Sequence, residues 1–145
     1  MSNEDQSHVL QPIGRVESPL TDRASAPKQA DEGAPGAVLA FDARVSEGLR
    51  DLRAGTDVLL LTWFDRADRE VLAVHPRGEP ARPETGVFST RSPDRPNPIG
   101  LHQVTVMSVE PDPRAGTRVH VRALEALDGT PILDVKPVLV CRADR

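Results

Sequence analysis

The stretch from Pro76 to Pro98 constrains this chain more than any other. It holds six of the fourteen prolines. Proline fixes φ and has no N–H to donate, so the segment is neither a regular helix nor a central strand. Within it, Gly86-Val87-Phe88 reads as a brief strand and the remainder as a stiff loop. Whatever the chain folds into must carry this loop on its outside.

On either side of the loop, short apolar runs alternate with turn signals. Val9–Val16, Ala37–Phe41, Asp57–Phe64, Val71–Val74, Ile99–Val109 and Ile132–Val140 read as strands, the last interrupted at Pro137. Val119, Val121 and Ala123 alternate with Arg118, His120 and Arg122, the cleanest strand pattern in the sequence. In Ile99–Val109 the alternation slips between Leu101 and Val104, which predicts a bulge. Ser46 is placed to N-cap one short helix with Leu49 and Leu52 on its apolar face and Gly55 at its end. Pro111–Gly116 and Asp128-Gly129 are turns, and Thr21–Pro35 is a long polar loop without periodicity. Residues 1–8 are expected to form a disordered tail and residues 9–142 one domain. Many short strands with one short helix predict a mainly β domain, either a small barrel or a sandwich.

Composition excludes several functions. The formal net charge is −4 and the sequence pI about 5.5. A domain built to hold a phosphate backbone reads basic, so a tRNA substrate here requires a local basic patch. Aromatic residues make up 3% of the chain, too few for a base-stacking platform. Cys141 is the one cysteine, so no intrachain disulfide forms, which fits a reducing compartment. No apolar run is long enough to cross a membrane, and the expected location is the cytoplasm. There is no dinucleotide-binding or P-loop glycine signature and no zinc-like Cys/His spacing, so no metal is expected. His8, His75, His102 and His120 are scattered and read as structural or solvated.

Two segments carry chemistry. In Gly86–Leu101, Pro93, Pro96 and Pro98 stiffen the backbone, Arg91 and Arg95 offer planar forks for a carboxylate or phosphate, and Gly100 permits close approach. A rigid cationic loop suits a small-anion clamp, although the same pattern also fits a solvated loop. The second segment is Asp128-Gly129-Thr130-Pro131 followed by Ile132–Pro137, in which Asp134 and Lys136 share one face of a strand. By pattern alone this is a hairpin turn and a surface ion pair. Pro27-Lys28-Gln29 and Trp63-Phe64-Asp65-Arg66 say nothing by themselves.

Together these segments resemble the signatures of the TsaA-like, or TrmO, family of tRNA methyltransferases. The resemblance rests on Thr90-Arg91-Ser92-Pro93, Arg95-Pro96-Asn97-Pro98-Ile99-Gly100-Leu101, and Asp128 through Pro137. Ile13-Gly14, Ser18-Pro19, Pro27-Lys28-Gln29 and the passage from Glu47 to Phe64 extend it over about Gln11–Val140. The family often has His where this chain has Asp65 and Asp94, Arg where it has Lys28, and Tyr where it has Val138.

The resemblance implies a small antiparallel β-barrel with one short helix and long loops, a non-Rossmann fold that binds S-adenosylmethionine (SAM). It implies a SAM-dependent methyltransferase, usually homodimeric, that methylates N6-threonylcarbamoyladenosine beside the anticodon of tRNA. It places Pro27, Lys28, Gln29, Asp65, Arg66, Arg91, Leu101, Asp128, Gly129, Thr130 and Pro131 at the cofactor. Asp134 and Lys136 are the expected catalytic pair. Two alternatives keep the cofactor: methylation of a small metabolite, and a non-catalytic SAM-binding regulatory module.

Overall fold

The structure, a computed structural model, describes residues 7–22 and 35–139. The expected tail and loop fall mostly outside that span, as do Pro27, Lys28, Gln29 and Cys141.

Apolar residues at every second position build the domain. The strands are β1 (Gly14–Glu17), β2 (Ala37–Phe41), β3 (Asp57–Trp63), β4 (Ala73–Val74), β5 (Thr85–Gly86), β6 (Ile99–Glu110), β7 (Thr117–Val121) and β8 (Pro131–Pro137). Six of them form one antiparallel sheet in the order β1-β2-β7-β6-β3-β8, and β8 pairs back onto β1 to close a barrel. The closing seam is short: Gly14 opposite Ile132 and Arg15 opposite Pro131. β4 and β5 make a separate two-stranded ribbon.

The barrel interior is aliphatic. Val16, Leu39, Val58, Leu60, Val104, Val106, Val119, Val121 and Ile132 are buried there with Phe41. Each such side chain contributes about 1.5–3 kcal/mol relative to exposure. With few aromatics available, tight packing of branched side chains on pleated strands does this work.

Several details differ from the sequence expectation, among them strand ends: β4 covers only Ala73–Val74, β7 ends at Val121 and β8 runs Pro131–Pro137. The predicted helix is a 3-10 turn, Ala43–Leu49, that begins after Asp42 rather than at Ser46. Its bonds run three residues back, from the Val45 N–H to the Asp42 carbonyl and from the Arg50 N–H to the Glu47 carbonyl. Gly48 and the shortness of the segment disfavour a full α-turn, but Val45, Leu49 and Leu52 still pack against the core as an amphipathic face. The first strand covers only Gly14–Glu17, because Val9 and Leu10 are exposed and Pro12 lacks a donor. Around Gly86, the ribbon strand is Thr85–Gly86 and the chain then tightens into a 3-10 turn, Val87–Ser89. The bulge in β6 lies between Val106 and Ser108, against β7, and not between Leu101 and Val104.

Antiparallel order decides where the loops collect. The C-terminal ends of β1, β3 and β7 and the N-terminal ends of β2, β6 and β8 share one end of the barrel. That end therefore receives the proline-rich loop before β6, the segment after β3, and the connection from β7 to β8.

Candidate functional site

A cavity of about 510 Å³ opens at that end. This is within the range of small-molecule sites, about 300–1,000 Å³. Three segments wall it: Phe64–Ala67 after β3, the loop and strand from Phe88 to His102, and Glu125 to Thr130 before β8.

The floor is set by strand pairing. Gly100 of β6 lies opposite Thr62 of β3, and Leu60 lies opposite His102. Gly100, His102, Val104 and Val106 all face inward, so β6 alternates without a slip at this end. The apparent slip in the sequence is His102, a polar residue in an interior position. It is 3% exposed, and Phe64 packs edge-on against its ring at 5.8 Å. A side chain at position 100 would overlap Thr62 Oγ1 and come within 2.6 Å of Phe64 Cζ and 2.7 Å of His102 Nε2. Glycine is there to admit these three protein side chains.

His102 is bonded on both ring nitrogens. Nε2 lies 2.8 Å from Thr62 Oγ1, and Nδ1 lies 2.5 Å from Glu125 Oε1. Glu125 reaches it because Ala123, at φ 49°, swings the chain off β7 in a left-handed turn. Leu124 and Ala126 then anchor in the core on either side of Glu125. The Glu125 side chain is 15% exposed. Its Oε2 is buried and has no hydrogen-bond partner among the described residues. A buried carboxylate oxygen left unpaired costs roughly 1–3 kcal/mol or more, so it calls for a donor from whatever enters the cavity.

The arginines of the proline-rich loop divide their labour. Arg95 turns inward and donates to the carbonyls of Thr90 (3.0 Å) and Ser92 (2.9 Å), with its guanidinium 6.0 Å from the Phe88 ring. Arg69 braces the loop from outside through the Pro96 carbonyl (2.6 Å) and Asn97 Oδ1 (3.0 Å), over the face of Trp63. The Asp94 carboxylate accepts the Asp68 N–H at 2.9 Å. Arg91, exposed on the cavity wall, makes no hydrogen bond or ion pair among the described residues. It is the guanidinium left to meet an anion.

Of the residues expected at the cofactor, Asp65, Arg66, Arg91, Leu101 and Thr130 line the cavity together. The two signature segments, distant in sequence, thus share one recess. Arg66 also ties the wall to the N-terminal segment through the Thr21 carbonyl at 2.9 Å. Asp128 and Gly129 stand behind the wall. Asp128 accepts the Ser18 N–H at 3.0 Å, while Gly129 turns the chain at φ 83° and its carbonyl takes the Arg15 guanidinium at 3.1 Å. Pro131 is buried where β8 begins. Asp134 and Lys136 form an exposed ion pair of 3.0 Å on β8 and do not line the cavity. Sequence reasoning passed over Thr62, His102 and Glu125. The available signal was an inward polar residue in an otherwise apolar alternation.

Among the described residues, no group of three or more His, Cys, Asp or Glu side chains is arranged to hold a metal ion, and no helix is long and apolar enough to cross a membrane.

The same chain aligns with known proteins over nearly its whole length. An S-adenosyl-L-methionine-binding protein of Archaeoglobus fulgidus is 41% identical over 128 residues, covering 88% of this chain and 87% of the relative. A probable S-adenosyl-L-methionine-binding protein of Methanothermobacter thermautotrophicus is 37% identical over 133 residues, covering 92% and 91%. A crystal structure of TrmO from Pseudomonas aeruginosa superposes with a TM-score of 0.71 at 30% identity, covering 99% of this chain and 62% of that one. This chain thus spans under two thirds of the solved TrmO chain. Residues 15–144 match the tRNA-methyltransferase O N-terminal domain. With the barrel, the shared recess and this match in agreement, the chain belongs to the TrmO N-terminal domain family.

Proposed function

We propose that this protein methylates tRNA, and that its acceptor is N6-threonylcarbamoyladenosine beside the anticodon. Its family is one of SAM-dependent methyltransferases, and SAM is its cofactor. When bound, SAM supplies an electrophilic methyl group on a sulfonium. The residues present fit it. The recess falls in the size range of small-molecule sites, and on its wall stands an exposed arginine with no hydrogen bond or ion pair among the described residues.

Arg91 is the group for the cofactor's carboxylate, by a charge-assisted fork. Leu101 and Thr130 flank the same space, and Asp65 and Arg66 stand at its side. Asp128 and Gly129 hold the corner from behind. The chain's contribution to rate is alignment and exclusion of water, which matter most for an in-line displacement. A homodimer in the cytoplasm is part of this reading, since a barrel this small encloses only part of a cofactor the size of SAM.

The single observation that carries the reading is the shared recess between the Arg91 loop and the Thr130 corner. The test is incubation with methyl-labelled SAM and bulk tRNA lacking the modification. Label recovered in a methylated nucleoside is the expected result. SAM binding with no label in any RNA overturns the acceptor assignment. The carboxylates Asp65 and Asp94 beside the site, with a net charge of −4, favour a second reading in which a small metabolite receives the methyl group. Label in a metabolite extract but not in RNA would establish it.

A further inference from the structure

Thr62, His102 and Glu125 interrupt an aliphatic interior in a continuous line that ends at the cavity. Thr62 is fully buried and does not line the cavity. Both ring nitrogens of His102 are engaged. His102 and Glu125 both line the cavity, and among the described residues Glu125 Oε2 is the atom of the three with no hydrogen-bond partner.

The hydrogen-bond roles follow from the groups available. A neutral imidazole has one N–H and one acceptor nitrogen. With the Thr62 hydroxyl donating to Nε2, the ring proton sits on Nδ1 and is donated to Glu125 Oε1. That arrangement fixes the ring and the carboxylate in one orientation.

We propose that Glu125 is the catalytic base of the methyl transfer, with His102 and Thr62 as its positioning residues. The proposal rests on the methyltransferase reading above. In the step, the acceptor nitrogen forms a bond to the methyl carbon. The carbon–sulfur bond breaks, and its electron pair remains on sulfur, which leaves as a neutral thioether. The proton on nitrogen passes to the Glu125 carboxylate at Oε2. The Nδ1–H bond keeps Oε1 occupied, so Oε2 is the oxygen left to take the proton. An amide-like nitrogen is a weak nucleophile whose proton must leave as the bond forms, and positioned bases contribute about 10²–10⁴-fold in such steps. The pair first expected for this role, Asp134 and Lys136, is exposed and does not line the recess.

The test uses the full chain, SAM and whichever acceptor the wild-type protein methylates. Glu125→Gln keeps the shape but not the basicity. Its expected behaviour is SAM affinity within about threefold of wild type and a kcat lowered about 100-fold. Thr62→Val lowers kcat about tenfold with KM little changed, and Thr62→Ser restores it. Independently of turnover, nitrogen-resolved NMR of the wild type is expected to show a downfield His102 Nδ1 proton that is lost in Glu125→Gln. Turnover by Glu125→Gln near the wild-type rate overturns the proposal, as does a wild-type spectrum without that proton. A wild type that binds SAM but methylates nothing overturns the methyltransferase reading instead, and the base assignment with it.

Discussion

Thr62 and Gly100 face each other across β3 and β6, and the Thr62 hydroxyl occupies the space a Cβ on Gly100 would need. This pairing is where barrel packing meets the functional site, since the same glycine admits Phe64 and His102. Gly100→Ala is expected to lower stability by about 1–3 kcal/mol, the usual cost of overfilling a close-packed interior. Two of the three atoms it meets belong to the buried side chains of Thr62 and His102, which have little room to move. A denaturant midpoint unchanged from wild type would contradict this packing.

Arg91 and Arg95 are expected to behave differently despite their identical chemistry. Arg91→Ala removes a guanidinium with no partner among the described residues, so stability should hold while SAM affinity falls. A lost charged hydrogen bond of about 1.5–3 kcal/mol corresponds to a weakening of roughly 10–100-fold. Arg95→Ala leaves the Thr90 and Ser92 carbonyls without their donor. It should loosen the loop, seen as faster amide exchange in the loop before β6. Calorimetry and hydrogen exchange on both variants separate the two roles.

Ala123 takes a left-handed conformation that costs an ordinary L-residue about 1–2 kcal/mol. Ala123→Gly removes that cost but adds backbone entropy to the unfolded chain, about 0.5–1 kcal/mol. The expected net effect is a small gain in stability, up to about 1 kcal/mol. Thermal unfolding checks the sign. Ala123→Val should be clearly destabilising, because a β-branched residue tolerates positive φ poorly.

Asp112 supplies a pH-dependent term. Its Oδ1 accepts the N–H groups of Arg114 (2.9 Å) and Ala115 (3.0 Å) in the turn between β6 and β7. The bond from Ala115, then that from Arg114, holds its pKa below the ordinary 3.8. A depressed carboxylate pKa stabilises the fold above the unfolded value and loses that contribution as pH falls through the folded one. The wild type should therefore exceed Asp112→Ala in stability at neutral pH. The electrostatic part of the difference should vanish as the pH drops below 3.8 through the folded pKa. Urea midpoints measured at both pH extremes test the direction.

The sequence by itself determined the β architecture, several strand positions and the place of the stiff loop. Ala37–Phe41 is a strand over those same residues, since period-two burial is a local property that the residues carry with them. The two signature segments were legible as well, because proline, glycine and paired arginines mark a rigid binding loop wherever they occur. Tertiary structure alone decided which arginine has no partner among the described residues. Arg91 and Arg95 look alike until the fold folds one of them back onto the carbonyls of its own loop. It also decided the phase of β6, where His102 reads as a break in the apolar pattern until its partners are seen. Those partners, Thr62 and Glu125, lie 40 and 23 residues away along the chain. Strand pairing brings in the first and a left-handed turn at Ala123 the second. A buried polar group is tolerated only where such partners converge, and convergence of that kind is a property of the closed barrel rather than of any local run of residues.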